Sequence, residues 1–156
     1  MKNYFLILFL CCAFSSVKAI ESKIIHNIGS EIITNIDIKR EFKYLIALNN
    51  SLKELDKKRI LNISNESIIR EKIKKIEISK HFKEIELNKD YYEILLKNIY
   101  LKLNLKSINE FEIYLKDYDL ELNDIKAKIT IDALWNELII QKYKNQISIN
   151  EVQIKK

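Results

Sequence analysis

Glycine and proline are nearly missing from this chain, which has one glycine and no proline in 156 residues. Sandwiches and barrels of β-strands need many tight turns, and such turns draw heavily on both residues. The loops that cradle phosphates in nucleotide-binding proteins need at least two glycines at fixed spacing. The sequence therefore excludes these phosphate loops, argues against an all-β fold, and favours a helical protein.

The balance of apolar and charged residues predicts one folded domain. Hydrophobic residues make up 47% of the chain and charged residues 31%. Disordered chains lack the apolar surface that offsets their conformational entropy, so disorder is excluded as the overall state. A chain of this length can bury roughly two-thirds of its unfolded surface in a single core.

Residues 1–19 have the three-part layout of a secretory signal peptide. Lys2 supplies a positive start, residues 4–14 are an uninterrupted apolar run, and Val17-Lys18-Ala19 supplies small residues near a cleavage site. Eleven apolar residues are too few to span a bilayer, which takes about 20. We expect cleavage after Ala19 and export; an uncleaved anchor or a buried N-terminal helix is the alternative.

The mature chain offers little for catalysis or metal binding. Cleavage would remove both cysteines and leave His26 and His81 without the paired spacing of a zinc site. No serine lies in a nucleophile elbow, and the clustered carboxylates Glu110, Glu112, Asp117 and Asp119, interleaved with lysine at helical spacing, are typical of a solvated helix face. We expect no catalytic residues, no metal and no cofactor. The mature charge of +3, with its signs interspersed, also predicts no nucleic-acid partner and no stable membrane insertion after cleavage.

Apolar periodicity predicts a mainly α fold, a compact bundle of about five helices. A small β-hairpin comes first, with strands over residues 23–28 and 31–33 and a turn at residues 27–30. A short closing strand is expected at Ile147–Ile149. The domain would cover residues 20–152, followed by a tail at residues 153–156.

The predicted helix boundaries follow from capping residues. Thr34 or Asn35 caps the first helix, which ends near residues 49–50, and residues 51–64 are expected to form a loop or irregular helix. Asn65 caps the second helix, whose apolar stripe continues to residues 82–85. The remaining three helices are predicted to follow caps at residues 88–90, Ser107 and Asn123, and the last ends near residue 143.

Aromatic side chains are the main candidates for a binding surface. Most rings at helical spacing belong to a core, but neighbouring rings that point about 100° apart widen the apolar arc of a helix. Amphipathic rings suit a groove that binds extended chain without a fixed sequence. The candidate residues for binding such a client, meaning an unfolded protein segment, are Tyr44, Leu48, Tyr91, Tyr114, Tyr118 and Trp135.

The order of these segments resembles the N-terminal domain of SurA-type periplasmic chaperones, a family that carries parvulin-type peptidyl-prolyl isomerase modules. Residues 24–35 are similar to the opening strand and turn of the family, and residues 33–38 (ITNIDI) to the start of its first helix. Residues 73–83 resemble its second helix and residues 105–120 its short helix with a Leu-rich break. Residues 146–152 resemble the strand that leads into its first isomerase module.

This resemblance implies a periplasmic, ATP-independent chaperone module whose partners are unfolded or partly folded envelope or outer-membrane proteins. The parvulin modules would begin where these 156 residues end, and no residue here matches the parvulin catalytic set, so isomerase activity is not implied. An open hairpin edge would also allow a homodimer. Two alternatives stay open: a truncated or degenerate prolyl isomerase, and a structural envelope domain that binds one folded partner.

Overall fold

A computed structural model describes residues 21–144 of the chain. Within this range a two-stranded hairpin precedes five α-helices, which confirms the predicted helical bundle with an N-terminal hairpin. The predicted strand at Ile147–Ile149 lies outside the described residues. The helices are α1 (Asn35–Leu48), α2 (Lys57–His81), α3 (Lys89–Lys102), α4 (Ile108–Lys116) and α5 (Leu122–Tyr143), and a short 3-10 helix (Asn50–Glu54) follows α1.

The hairpin consists of antiparallel strands β1 (Ile24–Ile28) and β2 (Glu31–Thr34). Its two-residue turn is possible because Gly29 adopts a φ of 57°, in the left-handed region that favours glycine. The register places Ile28 opposite Glu31, and an irregularity between Ile24 and His26 interrupts the pairing. The hairpin packs on α2, which supplies the burial that an isolated hairpin lacks.

Local capping sets the start of three helices as predicted. At α1 the Asp37 backbone N–H donates to Thr34 Oγ1 (3.2 Å), and the Thr34 N–H donates to Asp37 Oδ2 (2.7 Å). This reciprocal pair satisfies two backbone donors that the first turn would leave without partners. Asn88 caps α3 and Ser107 caps α4 through their side-chain oxygens, so these three predictions are confirmed.

The prediction for the second helix was wrong at both ends. Helix α2 begins eight residues before Asn65, at Lys57, and the Asp56 carboxylate caps it by accepting from the Arg59 N–H (3.0 Å). Residues 57–64, predicted as part of a loop or irregular helix, therefore belong to a regular α-helix. The helix ends at His81, whereas the predicted stripe continued to residues 82–85, which instead form part of the irregular link to α3.

The start of the last helix also differs from the prediction. Helix α5 begins at Leu122, and Glu121 rather than Asn123 occupies the cap position. The carboxylate of Asp124 accepts from the Glu121 N–H at 2.9 Å, and this bond fixes the start of the helix two residues earlier than predicted.

The apolar interior is divided into two clusters. Helix α2 packs against α1 and α5, while α3 packs against α5 and α4. The main core lies among α1, α3, α4 and α5 and contains Ala47, Leu96, Phe111, Leu115, Leu120, Ile125 and Ile129. The second core lies between α2 and α5 and contains Ile78, Ile131 and Leu134, with Trp135 packed against it.

Candidate functional site

Four of the predicted client-binding residues pack against the main core: Tyr44, Leu48, Tyr114 and Tyr118. The Tyr114 hydroxyl donates to the carbonyl of the fully buried Ala47 at 2.7 Å. The Lys53 ammonium donates to the Tyr118 hydroxyl at 2.8 Å and lies 5.3 Å from the centre of its ring. These side chains are half-buried and engaged within the domain, so they tie α1 and the turn after it to α4.

The two tyrosines of this contact have opposite pKa shifts. Burial, followed by the hydrogen bond to Tyr118, raises the pKa of Tyr114. The hydrogen bond from Lys53 lowers the pKa of Tyr118. Tyr114 therefore remains a protonated donor to Ala47, which is the state that a structural bond requires.

The Tyr114 bond can be tested by removing only the hydroxyl. We expect Tyr114→Phe to lower the free energy of unfolding by about 1 kcal/mol, because the buried Ala47 carbonyl loses its donor. The matched control is Tyr91→Phe, whose ring is 48% exposed on α3 and whose change should stay within about 0.5 kcal/mol. Urea denaturation followed by circular dichroism measures both; equal values for the two variants would contradict this role.

Tyr44 belongs to a buried ion cluster that sequence reasoning missed, formed with Glu41 of α1, Glu71 of α2 and Lys128 of α5. Lys128 Nζ lies 2.5 Å from Glu41 Oε2, pairs directly with the Glu71 carboxylate, and is 4.6 Å from the centre of the Tyr44 ring. The Glu41 side chain is only 1% exposed. Its Oε2 has no aligned hydrogen-bond donor among residues 21–144, so the ion pair with Lys128 is what offsets its burial.

The buried ion cluster is suited to joining helices and unsuited to nucleophilic chemistry. Burial acts to lower the pKa of Lys128, but the carboxylates of Glu41 and Glu71 outweigh it and hold the pKa above its ordinary value. A lysine nucleophile needs a lowered pKa, because only the neutral amine attacks. Lys128 therefore stays an ammonium that links α1, α2 and α5. Among residues 21–144, no group of three or more His, Cys, Asp or Glu residues is arranged to hold a metal ion.

Tyr91 and Trp135, the other two predicted residues, lie on different helices. Tyr91 is on the outer face of α3, where Ile94 and Leu101 are also about half exposed. Trp135 is on α5, where it packs against the second core and lines a groove. The structure therefore does not bring the six predicted residues into one surface.

The groove beside Trp135 is a largely apolar concave surface that borders the hairpin. We call it the apolar groove; its volume is about 560 Å³, and it runs between the end of β1, the second half of α2 and the end of α5. Its apolar lining residues are Ile28, Ile73, Ile76, Trp135, Leu138, Ile139 and Tyr143. Ile73 and Tyr143 are 49% and 41% exposed, so two walls of the groove are accessible from outside.

Most of these lining residues were not among the predicted binding residues. Ile73 and Ile76 belong to the apolar stripe predicted for the second helix, and periodicity of this kind indicates core residues. The sequence of α5 contains a pattern that could have indicated the groove. Its apolar residues Trp135, Leu138, Ile139 and Tyr143 recur at i, i+3, i+4 and i+8, and none of them belongs to the main core.

Comparisons with protein-family models, with curated proteins and with solved structures find no match to this chain. Within residues 21–144, none of the helices has the length and apolar character that crossing a membrane requires.

Proposed function

We propose that this chain is an ATP-independent chaperone module of the periplasm, and that it binds unfolded envelope or outer-membrane proteins in the apolar groove. The observation that carries the proposal is a concave surface lined by five aliphatic side chains, one Trp and one Tyr. The order of segments resembling SurA-type chaperones and the leader-like residues 1–19 support the same function and compartment.

The size and lining of the groove suit short pieces of extended chain. Its volume of about 560 Å³ lies within the range of ordinary ligand sites and can accept a few side chains. Aliphatic walls attract apolar side chains without directional bonds, so they do not demand one sequence. Contacts of this kind are individually weak, which allows a client to leave without an energy source.

The hairpin carries exposed apolar side chains of its own. Ile24, Ile25 and Ile32 are 61%, 41% and 48% exposed, and Ile28 of the same hairpin lines the groove. Contiguous exposed apolar surface on a soluble domain commonly marks an interaction site. Ile32 pairs with Asn27 and so lies on the face opposite Ile28, which makes the exposed hairpin residues a second apolar patch, separate from the groove.

Aggregation suppression tests the proposal directly. The protein from residue 20 onward, the form that the predicted cleavage leaves, should suppress aggregation of an unfolded β-barrel protein at several-fold molar excess. No suppression at that excess would contradict the proposed function. A saturable one-to-one complex with a native protein, without any effect on unfolded ones, would instead favour the structural alternative.

A matched pair of variants assigns the activity to the groove. We expect Ile73→Ser with Tyr143→Ser to weaken client binding roughly tenfold, since each truncated side chain removes on the order of 1 kcal/mol of apolar contact. The control, Ile94→Ser with Ile113→Ser, removes similar surface from α3 and α4, where these side chains are 57% and 65% exposed. Equal loss in both pairs would show that binding does not depend on the groove.

A further inference from the structure

The rim of the apolar groove carries an uneven charge. Lys80, Lys142 and Glu77 border it together with the apolar residues. The Glu77 carboxylate is already engaged inside the domain, because it accepts from Lys80 Nζ at 2.7 Å and lies 3.4 Å from His81 Nε2. Lys142 has no ion-pair partner among residues 21–144.

A second group of charges lies beside Ile28, the hairpin residue that lines the groove. Glu31 stands opposite Ile28 in the hairpin register, and its carboxylate pairs with two ammonium groups, Lys72 at 2.9 Å and Lys75 at 2.8 Å. These two hydrogen-bonded ammoniums lower the pKa of Glu31 despite its partial burial. The carboxylate is therefore ionised at neutral pH, and one negative charge faces two positive charges.

Two acidic residues of α5 near the groove are engaged with other side chains. Asp132 of α5 is paired with Lys74 at 2.6 Å. Glu137 follows Trp135 by two positions on α5, so it lies about 200° around the helix from it. Its carboxylate accepts a hydrogen bond from the Gln141 side-chain amide, on the face away from the groove. Among the residues that line the groove, two ammonium groups (Lys80 and Lys142) therefore face one carboxylate (Glu77). Lys72 and Lys75 line a neighbouring pocket, which also contains Glu71 and Glu86.

We infer that the apolar groove selects extended apolar segments flanked by acidic residues over the same segments flanked by basic residues. This inference rests on the proposed function, since it specifies the client of the same groove. The apolar lining attracts apolar side chains of any sequence. The positive rim attracts acidic residues that flank such a segment and repels basic ones. Complementary charge at a rim contributes chiefly to specificity and to the rate of encounter.

The test uses two synthetic peptides with one shared core of alternating isoleucine and serine, flanked on each side by two aspartates or by two lysines. Fluorescence anisotropy with the purified chain should give roughly five- to tenfold tighter binding of the aspartate peptide at low ionic strength. The ratio should fall toward one at about 0.5 M salt, because exposed charges are then screened.

A charge reversal identifies the lysines responsible. Lys80→Glu with Lys142→Glu should abolish or invert the preference, and both residues are exposed, so the fold should tolerate the change. Lys89→Glu with Lys97→Glu on α3 changes the net charge equally but lies away from the groove, and should keep the preference. Inversion in both variants would assign the preference to net charge and overturn the inference.

The outcomes separate this inference from the proposed function. Equal binding of the two peptides by the unaltered chain, together with aggregation suppression, overturns the charge preference and leaves the chaperone proposal standing. No binding of either peptide, together with no aggregation suppression, overturns both.

Discussion

Replacement of Lys128 by methionine should lower the free energy of unfolding by about 3–5 kcal/mol, one of the two largest effects we expect from a single substitution. The change removes the ammonium that faces two carboxylates and leaves Glu41, whose side chain is 1% exposed, without a compensating charge. A domain of this size has a total free energy of unfolding of about 5–15 kcal/mol. The variant should therefore begin to unfold at urea concentrations well below the unfolding midpoint of the unaltered protein.

The neighbouring lysine on the same helix provides the control. Lys126 is exposed and lies 5.6 Å from the centre of the Tyr92 ring, so Lys126→Met should cost about 1 kcal/mol or less. Urea denaturation at neutral pH gives both values.

Apolar replacement of the whole ion cluster distinguishes a buried charge from a simple loss of packing. Glu41→Leu, Glu71→Leu and Lys128→Met together should recover most of the stability lost in Lys128→Met alone, because no unpaired charge then remains. Additive losses in the triple variant, or a negligible effect of Lys128→Met, would contradict the role of this ion cluster.

Phe111→Ala should destabilise the domain by about 3–5 kcal/mol. Phe111 is fully buried in the main core, with its ring centre 6.3 Å from that of Tyr100 on α3. Helix α4 has only nine residues, too few to be stable alone in water, so Phe111 and Leu115 are what hold it against the other helices. The cavity left by alanine therefore weakens both the core and the attachment of α4.

The control for Phe111 lies on the opposite side of the same helix. Ile113 is 65% exposed, and Ile113→Ala should change the free energy of unfolding by no more than about 0.5 kcal/mol. Thermal and urea denaturation both report the difference; similar losses for the two substitutions would show that α4 does not contribute to the core as described.

The features that sequence predicted well are local ones. Thr34 with Asp37, Asn88 and Ser107 cap their helices because a side-chain oxygen reaches a backbone N–H two or three residues away. These bonds join residues that are close in sequence, so they can be read from the sequence alone. The same holds for the spacing of apolar residues that predicted the helical bundle.

The start of α2 was missed because one position of its buried face is polar. Ile60, Ser64 and Ile68 are all buried at a spacing of four residues, but a serine in this stripe resembles a loop residue. Its hydroxyl donates to the Ile60 carbonyl at 2.7 Å, which satisfies the group within the helix. Asn65, predicted as the cap, instead contacts His26 Nε2 at 2.8 Å through its Oδ1.

The candidate site was less predictable because it depends on contacts between distant segments. Glu41, Glu71 and Lys128 each lie within two residues of another charged residue, and nothing local distinguishes them from residues of a solvated face. The groove was not predicted for a related reason. Ile73 belongs to the apolar stripe of α2, yet its side chain is half exposed among the described residues. Periodicity shows which side chains share a face, and packing decides which part of that face is covered.

Site-specific photo-crosslinking tests the central claim most directly, that the apolar groove binds unfolded chain. A photoreactive phenylalanine derivative would replace Ile73 in the groove and, separately, Ile113 on α4, two exposed positions. With an unfolded β-barrel protein, we expect crosslinks from position 73 only, and none once the barrel has folded. Equal crosslinking from both positions, or suppression of aggregation without any crosslink from position 73, would contradict the account.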